Sequence, residues 1–250
     1  MPALYDAIGA GYETLRRPDP RIAARLHDAL GPARTVLNVG AGTGNYEPTD
    51  RTVLAVEPSA RMIQNRPPGS APAIQASAAA LPFPDAAFDA ALAVLTVHHW
   101  TDPLAGLKEM RRVTRGRIVI LTFDPSARPW LTDYLPGLAV LDEAQMPPLE
   151  VYREALGTIR VEPLQIPHDC IDGFLYAYWR RPQAYLDPRL RSGSSSFHAL
   201  TDVDTGLHKL EADLHSGAWR RRYADLTGHE EYDAGYRLLV AEGPEVPPSP

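Results

Sequence analysis

The stretch TVLNVGAGTGNYEP, residues 35–48, is an apolar run followed by Gly40, Gly42 and Gly44. Glycines directly after such a run let the main chain approach a ligand closely, because no Cβ intervenes. Their spacing is G-x-G-x-G, and Asn45 stands three positions after Gly42. A dinucleotide turn needs glycine at that place, and a phosphate loop needs Gly-Lys followed by Ser or Thr, so neither pattern is met. Glu57 closes the next apolar run, TVLAVE at 52–57. A carboxylate there can accept both hydroxyls of a ribose, a feature shared by several nucleoside-containing ligands. Asn38 sits inside the first run, where many nucleotide-binding turns carry an acid. Further along, HHWTD at 98–102 and IPHDC at 166–170 supply His98, His99 and His168. An imidazole with a pKa of about 6.5 is suited to act as a general base. No spacing joins the histidines to cysteines or acids as a ligand set, so no metal is expected.

These residues need elements to hold them. Apolar runs at 35–40, 52–57, 73–77, 88–97 and 117–123 predict five strands, with helices at 59–65 and 103–115 between them. The runs are continuous rather than alternating, which suits strands covered on both faces. Strand–helix alternation predicts a doubly wound parallel sheet. Residues 4–30 read as helical with a break at RRPDP, where Asp19 and Pro20 cap and open the second helix over Ile22, Leu26 and Leu30. Residues 148–156 predict another helix, 158–166 a sixth strand and 232–242 a last strand. The segment 167–230 reads as a mostly helical insertion, far longer than an ordinary connection of about 4–6 residues. The expected division is a main domain of 1–166 and 231–243, a helical cap of 167–230, and a disordered tail at 244–250.

Composition narrows the partners. A net charge of −6 without a long basic run disfavours nucleic acid. No run of apolar residues is long enough for a membrane span, and the N-terminus lacks the pattern of a secretory signal. Cys170 is the one cysteine, which excludes an intrachain disulfide and fits a reducing, cytoplasmic location. The sequence leaves the oligomeric state open.

Taken together, the motifs resemble those of class I S-adenosylmethionine-dependent methyltransferases of the small-molecule type. VLNVGAGTG is similar to the family's first motif, VLAVEPSARM to its second, and ALPFPDAAFDAALAVLTVHHWTDP to its third and fourth, in family order. The resemblance implies an α/β, Rossmann-like doubly wound sheet of seven strands, the last antiparallel between the fifth and sixth. It implies S-adenosyl-L-methionine as cofactor and S-adenosyl-L-homocysteine as product. It places Gly40, Ala41 and Gly42 under the methionine part, Glu57 on the ribose, and Pro58 and Met62 beside the adenine. Ser77 and Ala78 fall at the adenine edge and Ala93 at the cofactor's amino group, with Tyr12 and Arg17 closing over its carboxylate. Asn38 and Ser77 replace acids common in the family, and so are expected to weaken cofactor affinity without abolishing it.

The reaction so implied is methyl transfer to oxygen, nitrogen or carbon of a small, partly apolar molecule. Alignment, exclusion of water and removal of a proton are then the protein's tasks. Strand ends supply the candidates. His98 is favoured over His99 as base, with His168 a second catalytic candidate and Asp124 a group facing the acceptor. The insertion is aromatic, and Tyr176 and Trp179, joined by Trp130, are expected to line the acceptor pocket beside His99. An alternative is a protein of this fold that binds the cofactor and transfers no methyl group. A nicotinamide-dependent oxidoreductase is disfavoured by the missing third glycine.

Overall fold

In the computed structural model, which describes residues 15–243, Asp19 and Pro20 open the helix α1 (Pro20–Ala29). The Asp19 carboxylate accepts the Arg21 N–H at 3.0 Å, satisfying one of the donors that a helix start leaves unpaired. Tyr12, most of the helix expected ahead of the RRPDP break, and the tail at 244–250 lie outside the described residues.

The main chain then alternates as the apolar runs require. In order come β1 (Thr35–Val39), β2 (Thr52–Val56), α2 (Ala60–Gln64), β3 (Ala73–Ile74) and β4 (Ala90–Val94). They are followed by α3 (Pro103–Val113), β5 (Ile118–Phe123), α4 (Gly137–Gln145), α5 (Leu149–Leu156) and β6 (Ile159–Pro163). The last strand is β9 (Tyr236–Ala241). These strands form one seven-stranded sheet of order β3-β2-β1-β4-β5-β9-β6. β1 to β5 pair in parallel, while β9 runs antiparallel between β5 and β6. The fold is therefore the Rossmann-like arrangement the motifs imply.

Alternate residues feed two cores, one on each face of the sheet. Leu37, Ala91, Ala93 and Ile120 face α3 and α5, where Leu107, Met110 and Tyr152 are fully buried. Val36, Leu92, Val119 and Leu121 face α1 and the long insertion. Each buried Leu or Ile contributes about 1.5–3 kcal/mol relative to exposure. A strand with both neighbours so covered has no polar face, which is why β5 reads IVILTF without alternation.

Three expectations need correction. The fourth strand stops at Val94 rather than 97, because Leu95 turns into a left-handed conformation (φ 50°) before a 3₁₀ turn at Val97–His99. The run at 158–166 is two strands: β6 ends at Pro163, and Ile166–Pro167 (β7) pairs instead with Glu231–Tyr232 (β8) in a separate ribbon. β6 is an edge strand, where proline is tolerated, and its last bond to β9 runs from the Leu164 N–H to Tyr236 O at 2.9 Å. The aromatic stretch DGFLYAYWRRPQAYL is not a long helix. It is a chain of turns, with Ala177 donating to Phe174 and Arg181 to Tyr178, ending in a 3₁₀ helix at Pro182–Leu186. Its side chains spread in several directions, so their spacing imitates a helix without forming one. Regular helices follow at Pro188–Arg191 (α6), Ser195–Ala199 (α7), Asp204–His215 (α8) and Ala218–Arg222 (α9).

The insertion shares its core with the sheet. Trp179, Tyr185 and Trp219 belong to the same cluster as Val36 and Leu121. No helix among the described residues is long and apolar enough to cross a membrane.

Candidate active site

The carboxyl ends of β1, β2 and β4 meet around the glycine turn. Gly40 and Ala41 donate their N–H groups to Val56 O at 2.8 and 3.1 Å, stapling the turn to the end of β2. Gly40, Gly42 and Gly44 all have positive φ (69°, 52° and 95°). A Cβ on Gly40 would stand 2.1 Å from Thr96 Oγ1, whereas one on Gly42 would meet nothing within 4 Å. Conformation therefore demands glycine at both places, and close approach demands it at Gly40 as well.

Glu57 holds the turn from the other side. Its Oε2 accepts the Gly42 N–H at 2.8 Å and its Oε1 the Ser59 N–H at 2.9 Å. The side chain is buried yet lines the cleft. Asn38 has a structural partner of its own: its amide donates to Glu47 Oε1 at 3.1 Å. Glu47 is paired with Arg66 at 2.7 Å, both nearly buried, and Arg66 also donates to Gly42 O at 3.2 Å. An acid at position 38 would face the Glu47 carboxylate. The amide thus fits a turn whose negative charge comes from Glu47, nine residues later.

The resulting cleft is lined by Gly40, Ala41, Gly42, Glu57, Pro58 and Met62, with Asn38 in its floor. Val94, Leu95, Thr96 and Trp100 form the opposite wall. Three residues implied by the resemblance fall elsewhere. Ser77 is exposed, with its hydroxyl accepting the Ala79 N–H. Ala78 and Ala93 are packed into the core facing α3. Because β4 ends at Val94 in a left-handed turn, Leu95 and Thr96 take the position expected of Ala93.

The N-terminal arginine shifts by one. Arg17 is exposed, and Arg16 lines the cleft. The Arg16 guanidinium donates through Nε to the buried Asp172 carboxylate at 2.6 Å. Tyr46, another wall residue, donates its hydroxyl to the same Asp172 at 2.8 Å. The adjacent arginines of RRPDP offer no sequence signal for choosing between them. Asp172, which decides, comes from the insertion.

A second cavity adjoins the first, sharing Arg16, Leu95 and His99. Its walls are Phe123, Phe174, Tyr176 and Tyr236, with His98, Asp142 and the Ser194–Ser196 segment adding polar atoms. Tyr176 therefore lies in the wall of this second cavity. The other aromatic candidates do not: Trp130 donates to Trp179 O at 2.7 Å and Trp179 to Ile166 O at 2.9 Å, both inside the core. Asp124 ends β5 outside both cavities, accepting from Ser126 and lying 3.4 Å from Arg237. His168 is on the β7–β8 ribbon, 3.3 Å from Glu230, also outside both cavities. The chain leaves the main sheet after Leu164, and the ribbon is a separate sheet. Phe174, one of the aromatic residues of the insertion, lies in this wall too, whereas Tyr236 and Asp142 went unidentified in the sequence, the last because the helix α4 that carries it lacks a clear apolar period.

Burial tunes the polar groups. Removal from bulk water pushes both imidazoles down, assisted by the Arg16 charge: His98 well below its usual value, and His99 to about 4. Both rings are neutral at pH 7, with centroids 3.9 Å apart. Burial raises the Asp142 carboxyl to about 6 against the hydrogen bond from Tyr176. Between its ordinary 3.8 and about 6, the folded chain keeps a proton that the unfolded chain has released. Stability then falls as pH rises through that window. Asp142→Asn keeps an oxygen for Tyr176 and removes the charge. It is expected to be more stable than the wild type at pH 7.5, on the order of 1–3 kcal/mol, with the gain vanishing near pH 4. Urea denaturation across that range measures it.

Among the described residues no group of His, Cys, Asp and Glu is placed to hold a metal ion. Sheet order, glycine turn and the acid ending β2 define a doubly wound protein that binds a nucleoside-containing ligand at its carboxyl edge. Comparison with known proteins gives the family. The model for a methyltransferase domain matches residues 37–120. A solved putative methyltransferase from an antibiotic biosynthesis pathway of Anabaena variabilis ATCC 29413 is 35% identical with a TM-score of 0.83, covering 91% of this chain and 99% of that one. A demethylmenaquinone methyltransferase from Mycobacterium sp. (strain KMS) is 33% identical over 112 residues, 42% of this chain and 49% of that protein. The chain thus spans about half the length of the curated relatives it matches. A possible histamine N-methyltransferase from Thermotoga maritima, at 16% identity and a TM-score of 0.54, covers 96% of this chain and 95% of its own, and shares the fold. The chain belongs to the class I S-adenosylmethionine-dependent methyltransferase family.

Proposed function

We propose that this protein transfers a methyl group from S-adenosylmethionine to oxygen, nitrogen or carbon of a small, largely apolar molecule. The observation that carries this reading is the pair of joined cavities: a glycine-and-acid cleft on one side and an aromatic pocket on the other, sharing Arg16, Leu95 and His99. The cleft suits the cofactor. Glu57 presents a carboxylate for ribose hydroxyls, the glycine turn leaves room where a Cβ would intrude, and Pro58 and Met62 offer apolar faces for a base. Bound there, S-adenosylmethionine supplies an electrophilic methyl on a sulfonium with a good leaving group.

The chain's own residues then orient, desolvate and accept a proton. Aromatic walls exclude water from the acceptor, and their faces favour a nearby cation. His99, on the wall common to both cavities, is the better placed base, with His98 behind it on the acceptor side alone. Neutral at pH 7, it can take a proton from an O–H or N–H acceptor. Its basicity is modest, so its contribution rests on position. His99→Ala is expected to lower kcat about 100-fold while leaving S-adenosylhomocysteine affinity within a few-fold.

The test incubates the protein and S-adenosylmethionine with a panel of small phenols, naphthols, amines and quinols. Stoichiometric S-adenosylhomocysteine and a methylated product support the reading. Tight S-adenosylhomocysteine binding without transfer to any compound would favour a role in which the cofactor is held but not consumed.

A further inference from the structure

The acceptor cavity holds one buried acid, Asp142 of α4, 2% exposed. Its Oδ2 accepts the Tyr176 hydroxyl at 2.6 Å, and no other hydrogen bond reaches this carboxylate among the described residues. Oδ1 remains as an acceptor beside the cavity. Around it the walls are flat and apolar. Phe123 lies stacked on Tyr176, with centroids 5.0 Å apart and rings inclined by 29°, and Phe174 packs edge-on against Tyr236. Tyr236 is itself fixed by the Tyr176 N–H, which it accepts at 3.3 Å. A carboxylate buried among aromatic rings costs stability unless something is gained in return, and such costs concentrate at functional positions.

Resting on the methyltransferase reading, we propose that Asp142, oriented by Tyr176, is the specificity-determining anchor of the acceptor. It takes a hydrogen bond from an O–H or N–H on a flat, apolar substrate. A carboxylate with one oxygen committed to Tyr176 and one open rejects an isostere lacking the donor. The ether or hydrocarbon analogue would leave that oxygen buried and unpaired.

The full chain is titrated calorimetrically with 2-naphthol and with 2-methoxynaphthalene, which has the same ring and no donor, both in saturating S-adenosylhomocysteine and in its absence. The wild type is expected to prefer 2-naphthol by about tenfold or more. In Asp142→Ala the preference collapses to within about threefold, in Asp142→Asn it is intermediate, and in Tyr176→Phe, which keeps the carboxylate, most of it survives. Asp142→Asn should also melt at higher temperature than the wild type at pH 7.5, whereas a carboxylate with a purely structural role would give a lower one. The proposal is overturned if the wild type shows no preference, or if Asp142→Ala and Asp142→Asn keep it. S-adenosylhomocysteine binding is followed in every variant. Its loss in the wild type would count against the methyltransferase reading alone, since the naphthol preference is also measured without it.

Discussion

Glu57→Ala is expected to weaken S-adenosylhomocysteine binding by at least about 100-fold in calorimetric titration, equivalent to about 2.7 kcal/mol. Two effects combine. The ribose loses its carboxylate partner, and the cleft loses the group that organises it. In the structure Glu57 accepts from Gly42 N at 2.8 Å and Ser59 N at 2.9 Å, bridging the glycine turn to the start of α2. Hydrogen bonds to a charged group are worth about 1.5–3 kcal/mol each, and the alanine variant leaves both N–H groups without this acceptor. Glu57→Gln separates the effects. Its single carbonyl oxygen can replace one of the two accepted bonds, and its NH₂ cannot replace the other. An intermediate loss of about tenfold is expected. Unchanged affinity in a folded Glu57→Ala protein would remove the cofactor from this cleft.

The second large effect is on the turn itself. Gly40→Ala is expected to cost about 3 kcal/mol or more in urea denaturation of the ligand-free protein. A Cβ at residue 40 would lie 2.1 Å from Thr96 Oγ1 and 2.9 Å from Thr96 Cβ, so Thr96 must move. Thr96 is buried at the cleft wall and sits between the left-handed Leu95 and the 3₁₀ turn, where little room exists for retreat. To this is added the strain of a left-handed alanine, about 1–2 kcal/mol. Gly42→Ala is the internal control. It carries the same kind of φ, 52°, but its Cβ meets no atom within 4 Å. It should cost only about 1–2 kcal/mol in stability while still impairing cofactor binding, because the added methyl occupies cleft space. Equal destabilisation by the two alanines would mean that the contact with Thr96 contributes nothing.

The cofactor side of the protein is encoded locally, and its determinants are close in sequence. The glycine turn, Glu57, Pro58 and Met62 lie within a single strand–turn–strand–helix unit, where residue type and spacing alone restrict the conformation. Continuous apolar runs, which must be covered on both faces, also imply a doubly wound sheet, while the seven-strand arrangement with its antiparallel last strand came only from the family resemblance. Asn38 is an exception within that unit. Its partner Glu47 is only nine positions away, but no rule of spacing joins an amide in a strand to a carboxylate beyond the turn.

The second cavity, where we place the acceptor, was decided by tertiary packing. Arg16 rather than Arg17 enters the cleft because Asp172, far along the chain, receives its guanidinium. His168 lies outside both cavities because the chain leaves the main sheet after Leu164 and continues in a separate ribbon. Trp130 and Trp179 look like pocket residues by type, yet their indole N–H groups find main-chain carbonyls inside the core. Asp142 reaches the pocket on a short helix and meets Tyr176 from the insertion. Short-range periodicity carries no information about contacts between residues brought together by chain reversal. The glycine-and-acid turn was therefore legible in the sequence, with its cofactor implied by the family resemblance, and the shape and polarity of the second cavity emerged only when three distant segments closed around it.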